Sequence, residues 1–107
     1  MGYGGFGGGN MQQLMKQAQA MQRKLQEAQQ EIAQTEITGS AAGGMVEVTV
    51  TGDKTPVSVS IKPEAVDPDD VEMLEDMVLA ALNDAVVQAD KLSKDLLGPL
   101  GGAGGLF

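Results

Sequence analysis

From Asn10 to Glu36 the apolar positions repeat every seven residues. Counting from Met11, one row holds Met11, Ala18, Leu25 and Ile32, and a second holds Leu14, Met21, Ala28 and Thr35, with Gln and scattered charges between them. A seam this narrow predicts a long helix that cannot bury it alone and needs a partner surface, either the hairpin and second helix of the same chain or a second subunit. Asn10 stands where an N-cap belongs, and Gln13 completes a capping box. The period then drops to two. Thr35–Ser40 reads as a short strand and Ala41–Gly44 breaks it. In the next segment Val46, Val48 and Val50 alternate with Glu47, Thr49 and Thr51. After the turn Gly52–Pro56, Val57, Val59 and Ile61 alternate with Ser58, Ser60 and Lys62, which predicts a hairpin whose apolar, β-branched face a helix would cover. Pro63 ends this strand. Asp67 and Pro68 then fit the N-cap and first position of a second helix, reaching about Leu97 before Gly98-Pro99. Its stripe of Val71, Leu74, Met77, Val78, Ala81, Leu82, Ala85, Val86, Ala89, Leu92 and Leu96 is wide enough for a sheet.

The order helix, strands, helix places the chain in the α+β class. Gly-rich residues 1–9 and 98–107 are expected to form a flexible arm and tail, leaving 10–97 as one domain. At 107 residues the core is small, and oligomerisation is a common way to complete one of this size. Aromatics are only 3% of the chain, with Tyr3, Phe6 and Phe107 all near the ends, so base-stacking platforms are excluded from the folded part. Most of the seven methionines sit at apolar helix positions, where core filling is the expected role.

The chain has no Cys and no His. This removes disulfides, the usual zinc sites, and the nucleophile pairs and proton carrier on which most acid–base catalysis depends, so an enzyme is not expected. The Gly-rich start has neither the preceding strand nor the Lys-Ser or Lys-Thr of a phosphate loop. The cluster Asp67, Asp69, Asp70 and Glu72 lacks the ligand spacing of a calcium loop and fits the positive end of a helix instead. No cofactor, metal or small-molecule substrate is expected. With no signal-like start and no membrane-length apolar run, a cytoplasmic location is.

The net charge of -8 is unevenly placed. In residues 1–44, Lys16, Arg23 and Lys24 cancel Glu27, Glu31 and Glu36, and the whole excess falls in residues 45–107. Lys16 and Arg23, seven apart, share one outer face of the first helix, with Lys24 beside them. They form either a phosphate-contacting stripe or a solvated face with Arg23–Glu27 and Lys24–Glu31 pairs. Lys91 and Lys94 would complement the negative end of the second helix or contact DNA.

The run LMKQAQAMQRKLQEAQQEIAQTEITGSAAGGMVEVTVTGD, followed by MLEDMVLAALNDA, resembles the YbaB/EbfC family of bacterial nucleoid-associated proteins over about residues 10 to 97. The resemblance implies a three-stranded antiparallel sheet between two long helices, assembled into a tweezer-like homodimer that binds double-stranded DNA with little sequence preference in the nucleoid. It also implies that basic positions face the DNA: Lys16, Arg23 and Lys24 in helix 1, Lys54 in the hairpin turn, Lys62 after the next strand, and Lys91 and Lys94 in helix 2. The acidic balance keeps a second reading open, a homodimeric interaction module that acts through a basic protein with weak or no direct DNA binding.

Overall fold

The computed structural model describes the backbone of residues 2–101 and the side chains of residues 10–98. Helix α1 (Gly2–Gln34) leads into strands β1 (Glu36–Ala41), β2 (Val46–Thr51) and β3 (Pro56–Ile61), and helix α2 (Val71–Gly101) follows. The sheet is antiparallel in the order β1-β2-β3. This is the α+β architecture expected from the change of period.

Ala42, Gly43 and Gly44 turn β1 into β2 with positive φ at all three, and two glycines make that path accessible. Across the ladder Ile37 pairs with Val50, Gly39 with Val48 and Ala41 with Val46, which puts one apolar row on the face that α2 covers. That helix contributes small residues. Ala81, Ala85 and Ala89 are fully buried and form the core with Ile37, Val46, Val48, Val50 and Ala65. Gly39 makes the approach possible, because a Cβ there would collide with the backbone of α2 at Ala81 and Ala85. Asp84 and Gln88 then cover the outer edge of β1. An Asp84 oxygen accepts the Ser40 N–H at 3.0 Å, and the Gln88 amide donates to the Thr38 carbonyl and to Asp84, both at 3.2 Å. Backbone groups that would otherwise offer a pairing edge are thereby occupied.

Several boundaries differ from the sequence reading. Helix α1 begins at Gly2, so Asn10 is interior and caps nothing; glycine disfavours a helix by about 1 kcal/mol per residue but does not forbid it. It ends at Gln34, where the Thr35 hydroxyl turns back to the Glu31 carbonyl at 2.6 Å and β1 begins at Glu36. At α2 the capping residue is Asp70, which accepts the Met73 N–H at 3.1 Å, while Asp67 closes a separate turn by accepting from Asp69. Two aspartates three residues apart offered the same chemistry, and the later one starts the helix. Helix α2 runs past Gly98-Pro99 to Gly101, so Lys91 and Lys94 are not in its last turn. Met1 and residues 102–107 of the expected arm and tail lie outside the described residues.

The largest difference concerns coverage. Helix α2 packs on β1 and β2, and β3 is left exposed along its length. Val57, Val59 and Ile61 face the same side as the buried valines of β2, yet no helix lies over them, and Val59 is 57% exposed. The wide stripe of α2 is divided: its alanines meet the sheet, while Leu82 and Val71 stay exposed. The methionines fill the core only in part: Met45 and Met77 pack half-buried against it, while Met11, Met15, Met21 and Met73 are exposed.

Candidate nucleic-acid interface

Helix α1 is about 50 Å long at 1.5 Å per residue. Among the described residues it is anchored at its C-terminal end. Ile32 is 5% exposed and packs on the turn at Gly52, which also meets Leu92 of α2, and the Gly52 N–H donates to the Thr35 carbonyl at 2.9 Å. Toward the N-terminus the seam opens to solvent, through half-buried Ala28 to exposed Leu25, Met21, Ala18, Leu14 and Met11. The molecule is accordingly elongated, 84 × 22 × 16 Å, with a body of sheet and α2 and an arm of α1.

On this arm Lys16 and Arg23 project from the side opposite the seam, and Lys24 flanks it. All three are exposed. Neither the Arg23–Glu27 nor the Lys24–Glu31 pair forms; among the described residues the one ion pair joins Lys54 to Asp90. Exposed pairs of this kind gain so little over hydration that leaving them open costs almost nothing. These cations therefore remain available to an external anion.

The other basic positions are spread along the molecule. Lys91 and Lys94 are exposed on the part of α2 near the base of the arm, and Lys91 borders a shallow cavity of about 320 Å³ with Thr35, Ile37, Gln88, Leu92 and Asp95. Lys54 is at the same base, held with positive φ in the β2–β3 turn, and its ammonium lies 2.5 Å from Asp90. Lys62 lies apart, at the far end of β3, where its N–H donates to the Met45 carbonyl at 2.9 Å. That separation is about 20 Å for a strand of this length. The structure thus brings Lys16, Arg23, Lys24, Lys91 and Lys94 to the arm half and leaves Lys62 outside it.

The carboxylates are distributed in the opposite sense. At the arm half Glu27, Glu31, Glu36, Asp53, Asp90 and Asp95 balance Lys16, Arg23, Lys24, Lys54, Lys91 and Lys94. Glu47, Glu64, Asp67, Asp69, Asp70, Glu72, Glu75, Asp76 and Asp84 gather at the body end against Lys62 alone, so the entire net charge of -8 resides there. A polyanion meets a repulsive field at one end and a neutral surface carrying unpaired cations at the other.

Sequence reasoning missed a second surface, an apolar groove of about 520 Å³ between β3 and α2, lined by Ile61, Leu74, Glu75, Val78, Leu79 and Leu82. Its signal was present in α2: alanines spaced four apart mark the row that can approach a sheet closely, which leaves Leu79 and Leu82 beside them exposed.

Comparison with known proteins agrees with this architecture. A profile of the YbaB/EbfC DNA-binding family matches residues 7–105. A nucleoid-associated protein from Clostridium botulinum is 53% identical over 106 residues, covering 97% of this chain and 94% of its own. Another from Ruminiclostridium cellulolyticum is 48% identical over 108 residues, covering 97% and 93%. The crystal structure of an uncharacterized protein from Helicobacter pylori shares the fold, with a TM-score of 0.70 at 24% identity over 83% of this chain and 94% of that one.

Proposed function

The chain belongs to the YbaB/EbfC DNA-binding family, and from that membership we propose that it is a nucleoid-associated homodimer that holds duplex DNA, with little sequence preference, against the outer face of α1. It is not an enzyme. The relatives named as nucleoid-associated proteins support the cellular role. The observation that carries the site is the segregation of charge, with unpaired Lys16, Arg23 and Lys24 on the arm and the whole acidic excess on the body. Cations of this kind bind phosphates and release counterions, which gives affinity without reading bases. Lys91 and Lys94 extend the same half, Lys54 contributes less because Asp90 neutralises it, and Lys62 stands too far off to join.

The dimer closes, in this reading, through the uncovered β3 face and its groove, where Val57, Val59, Ile61 and Leu82 offer an apolar patch with few charges. A duplex mobility-shift titration at several salt concentrations tests the DNA site. With the six α1 cations of a dimer in contact, the logarithmic salt slope is no steeper than about -5. Changing Lys16, Arg23 and Lys24 to Glu lowers affinity by about tenfold or more, while Lys62→Glu leaves it nearly unchanged. Undiminished binding by the triple variant would overturn the assignment. Sedimentation of Val59→Asp tests the dimer face, with a monomer expected. The acidic body also favours a second reading, docking of a basic protein there; stoichiometric co-purification with such a protein, combined with no duplex shift at low salt, would select it.

A further inference from the structure

We propose that the exposed seam of α1 is a separate self-association surface on which α1 of another copy docks antiparallel. Met11 and Leu14 are 60% exposed, Met21 44% and Leu25 36%, although α2 of the same chain is present and reaches Gly101. Within its own chain the seam is covered only at its base. A seven-residue repeat matches another helix, since a sheet or a broad groove calls for a wider stripe.

The sizes along the seam identify the occupant as a second copy. In a parallel pair Ala18 would face Ala18 and leave a gap, next to a crowded layer of Met21 on Met21. In an antiparallel pair the two rows alternate differently: Met11 meets Ala28 of the second copy, Leu14 meets Leu25, and Ala18 meets Met21. Each alanine then faces a methionine, and the layers have matched volume. Charge agrees with size. Beside the seam, Lys24 faces Gln17 of the second copy, so no like charges meet, and Lys16 and Arg23 point away from the contact.

The pairing leaves the cation faces of both arms open on opposite sides. Two duplexes could then be held by one pair of arms; this consequence rests on the DNA-binding reading above, whereas the docking itself does not.

The native chain contains no Cys, so introduced thiols report without interference. Leu14→Cys and Leu25→Cys are prepared separately in the full chain, one carrying a size tag, then mixed and mildly oxidised. Both positions are exposed, so the variants fold, which far-UV circular dichroism checks. The mixture is expected to give the 14-to-25 cross-link in about tenfold excess over 14-to-14 and 25-to-25 products. Cross-linking within each single variant at the same yield as in the mixture would indicate parallel or random contact and overturn the proposal. Absence of any interchain product would overturn it too. Because the readout is a covalent bond between arms, it stands or falls independently of DNA affinity and of the Val59→Asp result.

Discussion

The Ala81, Ala85 and Ala89 row of α2 and the Met11 to Leu25 seam of α1 are both apolar stripes on long helices, yet the first is fully buried and the second stands in solvent. The difference lies in side-chain size and in the facing surface. Alanines bring the α2 backbone close to β1, and Gly39 removes the one Cβ that would hold it off. Large, flexible Met and Leu side chains spaced at seven prevent such an approach and instead suit insertion into the holes of another helix. Along these two helices, the small row of α2 makes the close contact that folds the chain, and the large side chains of the α1 seam mark a contact the chain alone does not complete.

The strongest way to break that comparison is to enlarge the close contact. Gly39→Ala places a methyl group against the α2 backbone at Ala81 and Ala85, where no flexible side chain can yield. A loss of about 3 kcal/mol is expected in urea unfolding, whereas Met21→Ala on the open arm is expected to stay within about 0.5 kcal/mol at concentrations where the arms are unpaired. Equal losses would mean that the arm is as fully packed as the body. A second pair compares two valines opposite each other in the β2–β3 ladder. Val48→Ala removes two methyl groups from the core and costs about 2 kcal/mol. Val59→Ala, on the exposed strand, costs little in a monomer and more when copies associate, so its effect should rise with protein concentration.

These contrasts also explain which parts were legible in the sequence. Periodicity located α1, the three strands and α2, because seven-fold, two-fold and helical patterns are local properties of a segment. Coverage was not legible, since Val59 and Val48 carry the same alternating signal and only the lateral position of α2 decides which is buried. The same holds for charge. Seven-residue spacing placed Lys16 and Arg23 on one face, but the grouping of Lys91 and Lys94 with them, the loss of Lys54 to Asp90 and the isolation of Lys62 depend on how the strands run. Capping was ambiguous for a simpler reason: Asp67 and Asp70 are chemically identical, and both close a turn.

A smaller effect separates the edge lock from the core. Asp84→Ala removes the acceptor of the Ser40 N–H and one partner of Gln88, and about 1 to 2 kcal/mol is expected to be lost in the same unfolding measurement. The β1 edge is then unguarded, and increased light scattering on storage would accompany the loss. Asp84→Asn should recover most of the stability, because its amide oxygen can still accept.

The smallest effect is at the turn where body and arm meet. Asp53 accepts hydrogen bonds from the Thr51 and Thr55 hydroxyls and from the Thr55 N–H, and these hold its carboxyl below the ordinary value of 3.8. The folded-state value is the lower one, so the stabilising contribution is present above the unfolded value and is lost as pH falls through the folded one. Stability measured from neutral pH down to strong acid should therefore decline below about pH 3.8 in part through this group. Asp53→Asn, which keeps an acceptor but cannot titrate, should flatten that acid limb slightly and leave neutral stability nearly unchanged. An identical acid limb in the variant would mean that the turn does not respond to Asp53 protonation, and that the junction is held by the Gly52 N–H bond to Thr35 and the packing of Ile32.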